Sequence, residues 1–281
     1  MKKELVVFLS VCFGLSIASA LAFRLLGGQY ASVIGSLFAS GYMLIPIISV
    51  IITQLILKEK VLSNIGFNFK LNKWWFIAWL GMPVFTVGAL LLSAIMPGTE
   101  LSGETPIMLQ QMEALKAQGL ALGPWGIFLI TLMSAYAAGL TINAVFAFGE
   151  EAAWRGYLIH VLDDMGFWNR SLLIGFIWGI WHAPIILMGH NYPQHPVAGV
   201  FMMIAFCIML TPIMNFFREK SGSAVVAAIA HGVINATAGV SLMYLTTQND
   251  LLYGATGLAG FLVLIVLDLC ILAYQKRTHS I

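Results

Sequence analysis

Glu150-Glu151-Ala152-Ala153-Trp154-Arg155 places three ionisable side chains at the edge of a long apolar run, in a chain with only 9% charged residues. An ionised side chain at membrane depth costs about 2.5–3.5 kcal/mol on insertion scales, so such a cluster persists only where partners or water meet it. The surroundings are membrane. The 281 residues are 60% hydrophobic, and the mean hydropathy is +0.90. A bilayer offers no water to the edge of an open sheet, so apolar runs of about 18 residues or more read as spanning helices. The expected fold class is an all-α polytopic membrane protein, and soluble enzyme readings are excluded.

Apolar runs over 5–23, 31–57, 75–96, 125–149, 171–189, 197–217, 222–246 and 255–275 can each cross about 30 Å of hydrocarbon at about 1.5 Å per residue. They predict a bundle of about eight transmembrane helices. Lysine and arginine set its orientation. With the N-terminus inside, Lys2, Lys3, Lys58, Lys60, Lys70, Lys73, Arg155, Arg170, Arg218, Lys220, Lys276 and Arg277 fall on the cytoplasmic side. Only Arg24 and Lys116 fall outside, twelve against two, which puts both termini in the cytoplasm. Lys2-Lys3 and Ala18-Ser19-Ala20 give the first run some features of a signal peptide, but its 19 apolar residues favour retention. The largest polar excursion, 97–124, reads as an outer loop with a short helix near 105–119. The connector 58–74 is basic and closes on Trp74-Trp75, which suit a membrane interface. The chain is expected to be one membrane domain, with three spans and the outer loop in 1–124, a core in 125–245 and a last span over 255–275. No internal repeat supports an inverted-repeat transporter.

Polar residues inside this apolar frame fall in three clusters. Glu150, Glu151 and Arg155 follow the fourth run, His182 lies in the fifth, and His231 and Asn235 lie in the seventh. The spacing of His231 and Asn235 puts imidazole and carboxamide on one helical face. Glu151 precedes Arg155 by four residues, the favourable order for an intrahelical ion pair that offsets the cost of both charges. Glu150, about 100° further round the helix, is left to face elsewhere. Pro184 cannot donate to the carbonyl of Ile180 and should bend the span beside His182, while Gly175 and Gly179 permit close approach of another helix. By helical rise, His182 and His231 lie about 16 and 12 Å from the inner ends of their spans, whereas Glu150 falls about 37 Å from Trp125, near the inner boundary.

The ordered set Glu150-Glu151-x-x-x-Arg155, Trp178-x-x-x-His182 and His231-x-x-x-Asn235 resembles the three motifs of the CAAX-protease and bacteriocin-processing family of intramembrane endopeptidases, over about residues 125–245. That family's second motif usually opens with phenylalanine, where this chain has Trp178. The resemblance implies proteolysis within the membrane at its cytosolic side. It assigns Glu150 to activating water with His182 assisting, and His231 and Asn235 to binding the oxyanion. Glu151 and Arg155 would hold the helix end and orient Glu150, with Trp178 as an aromatic wall. The implied partner is a peptide or membrane-protein substrate, a prenylated CAAX protein being one class the family uses. The compact form with short loops looks prokaryotic, which weights the reading toward an unprenylated substrate and a prokaryotic cell membrane.

The residue types suit peptide hydrolysis, which needs a base for water, donors for the oxyanion and a site that admits water but not lipid. Glu150, His182 and His231 also make a recognised zinc set, so zinc stays open beside a metal-free glutamate site. The HExxH arrangement is missing and Asn235 suits oxyanion donation better than zinc ligation, so no cofactor and no metal ligand is assigned. The alternative class is a proton-coupled carrier using the same glutamate and histidines as a relay. A net charge of +2, scattered through short loops, gives no surface for nucleic acid. Cys12, Cys207 and Cys270 read as buried small hydrophobes with no disulfide role. Asp268 reads as a structural hydrogen bond or ion pair, and His160, His190 and His195 read as solvated. Met202, Met203, Met209 and Met214 read as lipid-facing and core packing. The sequon at Asn235 lies inside a span, out of reach of glycosylation.

Overall fold

Several helices begin where a short polar side chain can take up a free backbone N–H of the first turn. Ser32 accepts from Gly35 N at 3.0 Å, Asn72 from Trp74 N at 3.0 Å, Thr105 from Met108 N at 3.1 Å and Ser223 from Val225 N at 3.2 Å. The computed structural model describes residues 2–278, and these are helical with short connections. Their one β contact is an isolated antiparallel bridge between Leu101 and Leu245.

In chain order the helices are α1 (Lys3–Leu25), α2 (Val33–Tyr42), α3 (Ile45–Leu57), α4 (Lys73–Gly81), α5 (Pro83–Ile95), α6 (Pro106–Ala117), α7 (Pro124–Leu140) and α8 (Ile142–Glu151). A π-helical turn, Ala152–Tyr157, joins α8 to α9 (Leu158–Val161). Then come α10 (Phe167–Trp181), α11 (Ala183–Ile186), α12 (Pro196–Ser221), α13 (Ala224–Thr237), α14 (Val240–Tyr244) and α15 (Leu258–Thr278). Six stretches, with α2–α3, α4–α5 and α13–α14 each taken as one, are long and apolar enough to cross a membrane, and the pair α7 with α8–α9, bent by 49°, makes a seventh. The expected run over 171–189 is instead the 15-residue α10 followed by one turn, broken at His182 just before Pro184. The architecture is a polytopic helical bundle, as the apolar runs imply.

Contacts between connections define two ends of this bundle. At one end Lys2 bonds Asp164 at 2.9 Å, Asn72 bonds the Ser221 carbonyl at 2.9 Å and Trp168 bonds Gln275 at 3.1 Å. At the other, Thr105 bonds the Met243 carbonyl at 2.5 Å, Tyr244 bonds the Pro124 carbonyl at 2.8 Å and Tyr253 bonds the Pro97 carbonyl at 2.8 Å. Helix α6 lies in the 97–123 connection at this second end, close to its expected bounds. The lysines and arginines divide along the same lines, except that Arg155 is a core residue rather than a surface one.

Close helix crossings position the polar clusters. A β-carbon at Gly179 would lie 2.5 Å from the Cα of Ile204, and one at Gly175 would lie 2.7 Å from the Cα of Ile208. The expected close-approach pair therefore receives α12. Across the bundle, a β-carbon at Gly232 would lie 2.8 Å from the Gly139 carbonyl and 2.9 Å from Ala144 N, so α13 seats in the bend between α7 and α8. The α1 helix also joins the core, with the Phe8 ring 5.9 Å from that of Trp154.

Three further expectations change. The fourth span continues to Val161, because the π turn carries the helix onward, so Glu150 sits well inside it rather than near its end. Cys270 is exposed on α15 instead of buried, while Cys12 and Cys207 are buried. Asp268 has a buried Oδ1 without a hydrogen-bond partner, not the structural bond expected. A leucine at Gly179 should push α10 and α12 apart, since overpacking a close-packed contact costs about 1–3 kcal/mol or more. Gly179→Leu is expected to lower the thermal unfolding midpoint in detergent by several degrees, whereas Gly81→Leu, with open space around its Cα, should leave it close to the parent.

Candidate active site

The innermost polar group is a carboxylate held by two indoles. Trp178 donates from Nε1 to Glu150 Oε2 at 2.6 Å, and Trp154, one turn along from Glu150, donates to the same oxygen at 3.3 Å. Glu150 is 2% exposed and lines a cavity. That cavity is about 300 Å³ and its wall includes Glu150, Trp178, His182, His231 and Asn235. The four residues predicted to share a centre, from three separate spans, thus line one space.

Behind this wall lies a fully buried ion cluster. Arg155 donates to Glu151 Oε1 at 3.2 Å and its Nε approaches Oε2 to 3.2 Å, outside hydrogen-bonding geometry, so that half of the contact is electrostatic. His231 Nδ1 lies 2.8 Å from the same Glu151 Oε1, and Arg155 also donates to Thr211 at 3.1 Å. Its guanidinium carbon stands 4.3 Å from the centre of the Trp178 ring, the face on which a cation is attracted by the ring quadrupole. Arg218 donates to the Arg155 carbonyl at 2.9 Å. All six residues of the π turn 152–157 are buried. A β-carbon at Gly156 would lie 2.3 Å from the Ile65 backbone, so the 58–72 connector caps this turn from the basic end. Glu151 and Arg155 pair as their spacing predicts, and the pair is shared with α13 and α12.

Each histidine is oriented by its second nitrogen. His182 Nδ1 lies 2.9 Å from the Trp178 carbonyl. A carbonyl only accepts, so Nδ1 carries the proton and Nε2 holds the lone pair in the neutral ring. His231 turns Nδ1 to Glu151, which leaves its Nε2 as well. The Trp178 ring centre is 5.6 Å from that of His182 and 5.4 Å from that of His231. Trp178 therefore meets Glu150, Arg155, His182 and His231, while Asn235, one turn beyond His231, is exposed.

Other wall residues were not anticipated. His190, expected to be solvated, lines the cavity, bonds Tyr30 at 2.7 Å and lies parallel to His182 with ring centres 6.4 Å apart. Burial lowers the pKa of this loop imidazole to about 4. No periodicity links His190 to the motifs, because a break and a turn separate it from α10. Cys207, also in the wall, lies 3.9 Å from His182 Nδ1. His160 and His195 are exposed, as expected, and His195 also pairs with Asp250 at 2.6 Å. Among the described residues, no three His, Cys, Asp or Glu side chains come together closely enough to hold a metal ion. Glu150, His182 and His231, the residues that would hold a zinc ion, all line the cavity.

Removing one member of the buried pair strands the other in apolar surroundings, at a cost of about 3–5 kcal/mol, whereas removing both can be nearly neutral. Glu151→Gln alone is expected to sharply lower the unfolding midpoint in detergent, and Glu151→Gln with Arg155→Met to recover much of the loss. Equal destabilisation of the single and double variants would show that the loss does not come from a stranded charge.

Residues 132–237, which contain all three motifs, match the family model of type II CAAX prenyl endopeptidases, described as Rce1-like. A segment of 135 residues is 26% identical to a CAAX prenyl protease 2 of Methanococcus maripaludis, covering 46% of this chain and 46% of that protein. The matched part is thus about half the length of that curated relative.

Proposed function

We propose that this chain, whose residues 132–237 match the type II CAAX prenyl endopeptidase model, is an intramembrane endopeptidase that hydrolyses a peptide bond with Glu150 as general base. The observation that carries the reading is a buried glutamate facing a cavity shared with two oriented histidines and a carboxamide. The two indole bonds fix Glu150 Oε2, and the other oxygen takes a proton from a water in the cavity. That water adds to the scissile carbonyl, and negative charge moves onto its oxygen. Asn235 can offer N–H to this oxyanion, as can His231 from Nε2 when both ring nitrogens carry protons and Glu151 accepts from Nδ1. As the C–N bond breaks, the proton passes to the departing amine from Glu150, or through Nε2 of His182. These are the roles a preorganised hydrolytic site requires.

Trp178, where the family usually has phenylalanine, gains a function in this arrangement, since its N–H makes the shortest contact to the base. Glu151 and Arg155 act through others: the carboxylate sets His231 and the guanidinium backs Trp178. Neither touches the cavity. The wet cavity ends at the buried turn 152–157, an arrangement that suits a hydrolytic pocket better than a path across the bilayer. We read the site as metal-free, supported by the spread of its donors and by the two indoles on the one carboxylate. The substrate is a peptide or membrane protein; that the relative's name refers to prenyl substrates makes a farnesylated peptide one arm of the test.

Purified protein in lipid nanodiscs should cleave a quenched fluorescent peptide carrying either an acyl anchor or a C-terminal farnesyl cysteine. Glu150→Gln is expected to lower the rate by about 10²–10⁴-fold, the contribution of a positioned base, with the unfolding midpoint retained. Unchanged cleavage by Glu150→Gln would reject the assignment. A hydrogen bond to a charged group contributes about 1.5–3 kcal/mol, so Trp178→Phe should reduce the turnover number by roughly ten- to a hundredfold. Full activity after exhaustive chelation, with no zinc by elemental analysis, is the result expected of a metal-free site; loss restored by zinc would overturn it.

A further inference from the structure

The cavity is not central. Its wall reaches Tyr30 between α1 and α2, His190 and Asn191 between α11 and α12, and Thr256 between α14 and α15. All three connections lie at the end of the bundle away from the N-terminus of α1. Toward the other end the cavity stops at Glu150, beneath which Trp154, Arg155 and Tyr157 are buried and Ile65 of the basic connector closes the turn. Burial grades the same way. Glu150, His182 and His231 are 2%, 8% and 5% exposed, Tyr30, His190 and Thr256 are half-buried, and Asn191 and Asn235 are exposed. Part of the wall is also half-exposed on the flank of the bundle. Ser40 of α2, Met43 just past its end and Asn143 of α8 line the cavity while half-exposed, and Ile34 and Leu37 of α2 are 69% and 68% exposed.

The charges orient this mouth. With Arg155 in the core, eleven lysines and arginines lie at the closed end, and Arg24 and Lys116 at the open one. Such an asymmetry in short loops sets the basic end toward the cytoplasm. Resting on the peptidase reading above, we infer that the cavity is entered from the non-cytoplasmic face and sideways between α2 and α8, so that the substrate is a peptide segment presented at the outer leaflet. This departs from the cytosolic side that the family resemblance implies. It follows from three loops, a sealed floor and the distribution of charge. A segment lying in the outer interface can slide past Ser40 and Asn143 to Glu150 without its polar backbone crossing the hydrocarbon, whereas a cytoplasmic segment would have to displace the buried Arg155 cluster.

The test uses the full chain in cells, with Cys12, Cys207 and Cys270 replaced by alanine and one cysteine introduced at the mouth, Thr256→Cys or, as a second position, Ala238→Cys, one turn beyond Ile234 and also in the cavity wall. Lys60→Cys reports the basic end. A sulfonated, membrane-impermeant maleimide added to spheroplasts should modify both mouth positions and spare Lys60→Cys, and the pattern should reverse in inside-out vesicles. Modification of the mouth cysteines only in inside-out vesicles would overturn the inference. A second arm supplies a charged, acyl-anchored fluorogenic peptide to sealed right-side-out and inside-out vesicles of the parent protein. Cleavage confined to right-side-out vesicles supports outer access, and cleavage confined to inside-out vesicles overturns it. Mouth labelling from outside with no cleavage of the peptide in either orientation supports the entrance but overturns the peptidase reading on which the substrate class rests.

Discussion

A guanidinium with no exposed surface in a membrane bundle has to be met on every side, and meeting it organises this protein. Arg155 takes a carboxylate from its own helix, a hydroxyl from α12, an aromatic face from α10 and, through the shared Glu151, an imidazole from α13. Four spans are therefore held in one register by groups that would each cost several kcal/mol if left alone. The π turn belongs to the same requirement. Widening the helix over 152–157 carries the span onward past Glu150 while all six residues stay buried, and such turns recur at functional sites.

The working face of the cluster follows from this support. Trp178 stands between the ion cluster and the cavity, with one face against Arg155, its ring near both histidines and its N–H on Glu150. Fixing one carboxylate oxygen removes much of the rotational freedom a lone glutamate would keep, which is the preorganisation a catalytic base needs. The same logic orders the histidines. Each commits Nδ1 to a fixed acceptor, a carbonyl for His182 and a carboxylate for His231, so Nε2 is the nitrogen available to a bound peptide.

Much of this was legible in the residues. Length and hydropathy suffice for the spans because the bilayer forbids the alternatives, and the small residues at 175 and 179 announced a close crossing that α12 fills. The motif spacings put Glu151 with Arg155, and they brought Glu150, His182, His231 and Asn235 to one wall. What stayed hidden depends on contacts between segments distant in sequence. His190 and Tyr30 come from connections, where no helical period signals direction. The π turn has no compositional mark, so the fourth span looked as if it ended at Gly149 and Glu150 looked too shallow. Asp268 was expected to find a partner because carboxylates in apolar helices usually do, and its Oδ1 has none. Cys270 could not be told from Cys12 by its neighbours, since a lipid-facing helix face is as apolar as a core one.

The cluster that holds the base also decides where water comes from. A carboxylate can activate water only if water reaches it, and a buried ion cluster survives only if water does not dilute it. These demands are met by separating the two along one helix, with Glu150 facing the cavity and Glu151 facing Arg155, about 100° apart. Because Arg155 lies one turn toward the basic end, the sealed side must be that end, and the open side must be the opposite one. The direction from which this site is wetted is thus a consequence of the order Glu-Glu-x-x-x-Arg on a span that runs toward the basic loops. Reversing the span in the membrane would reverse the face the cavity serves, which makes orientation, as much as the catalytic set, a determinant of what such a protein can cleave.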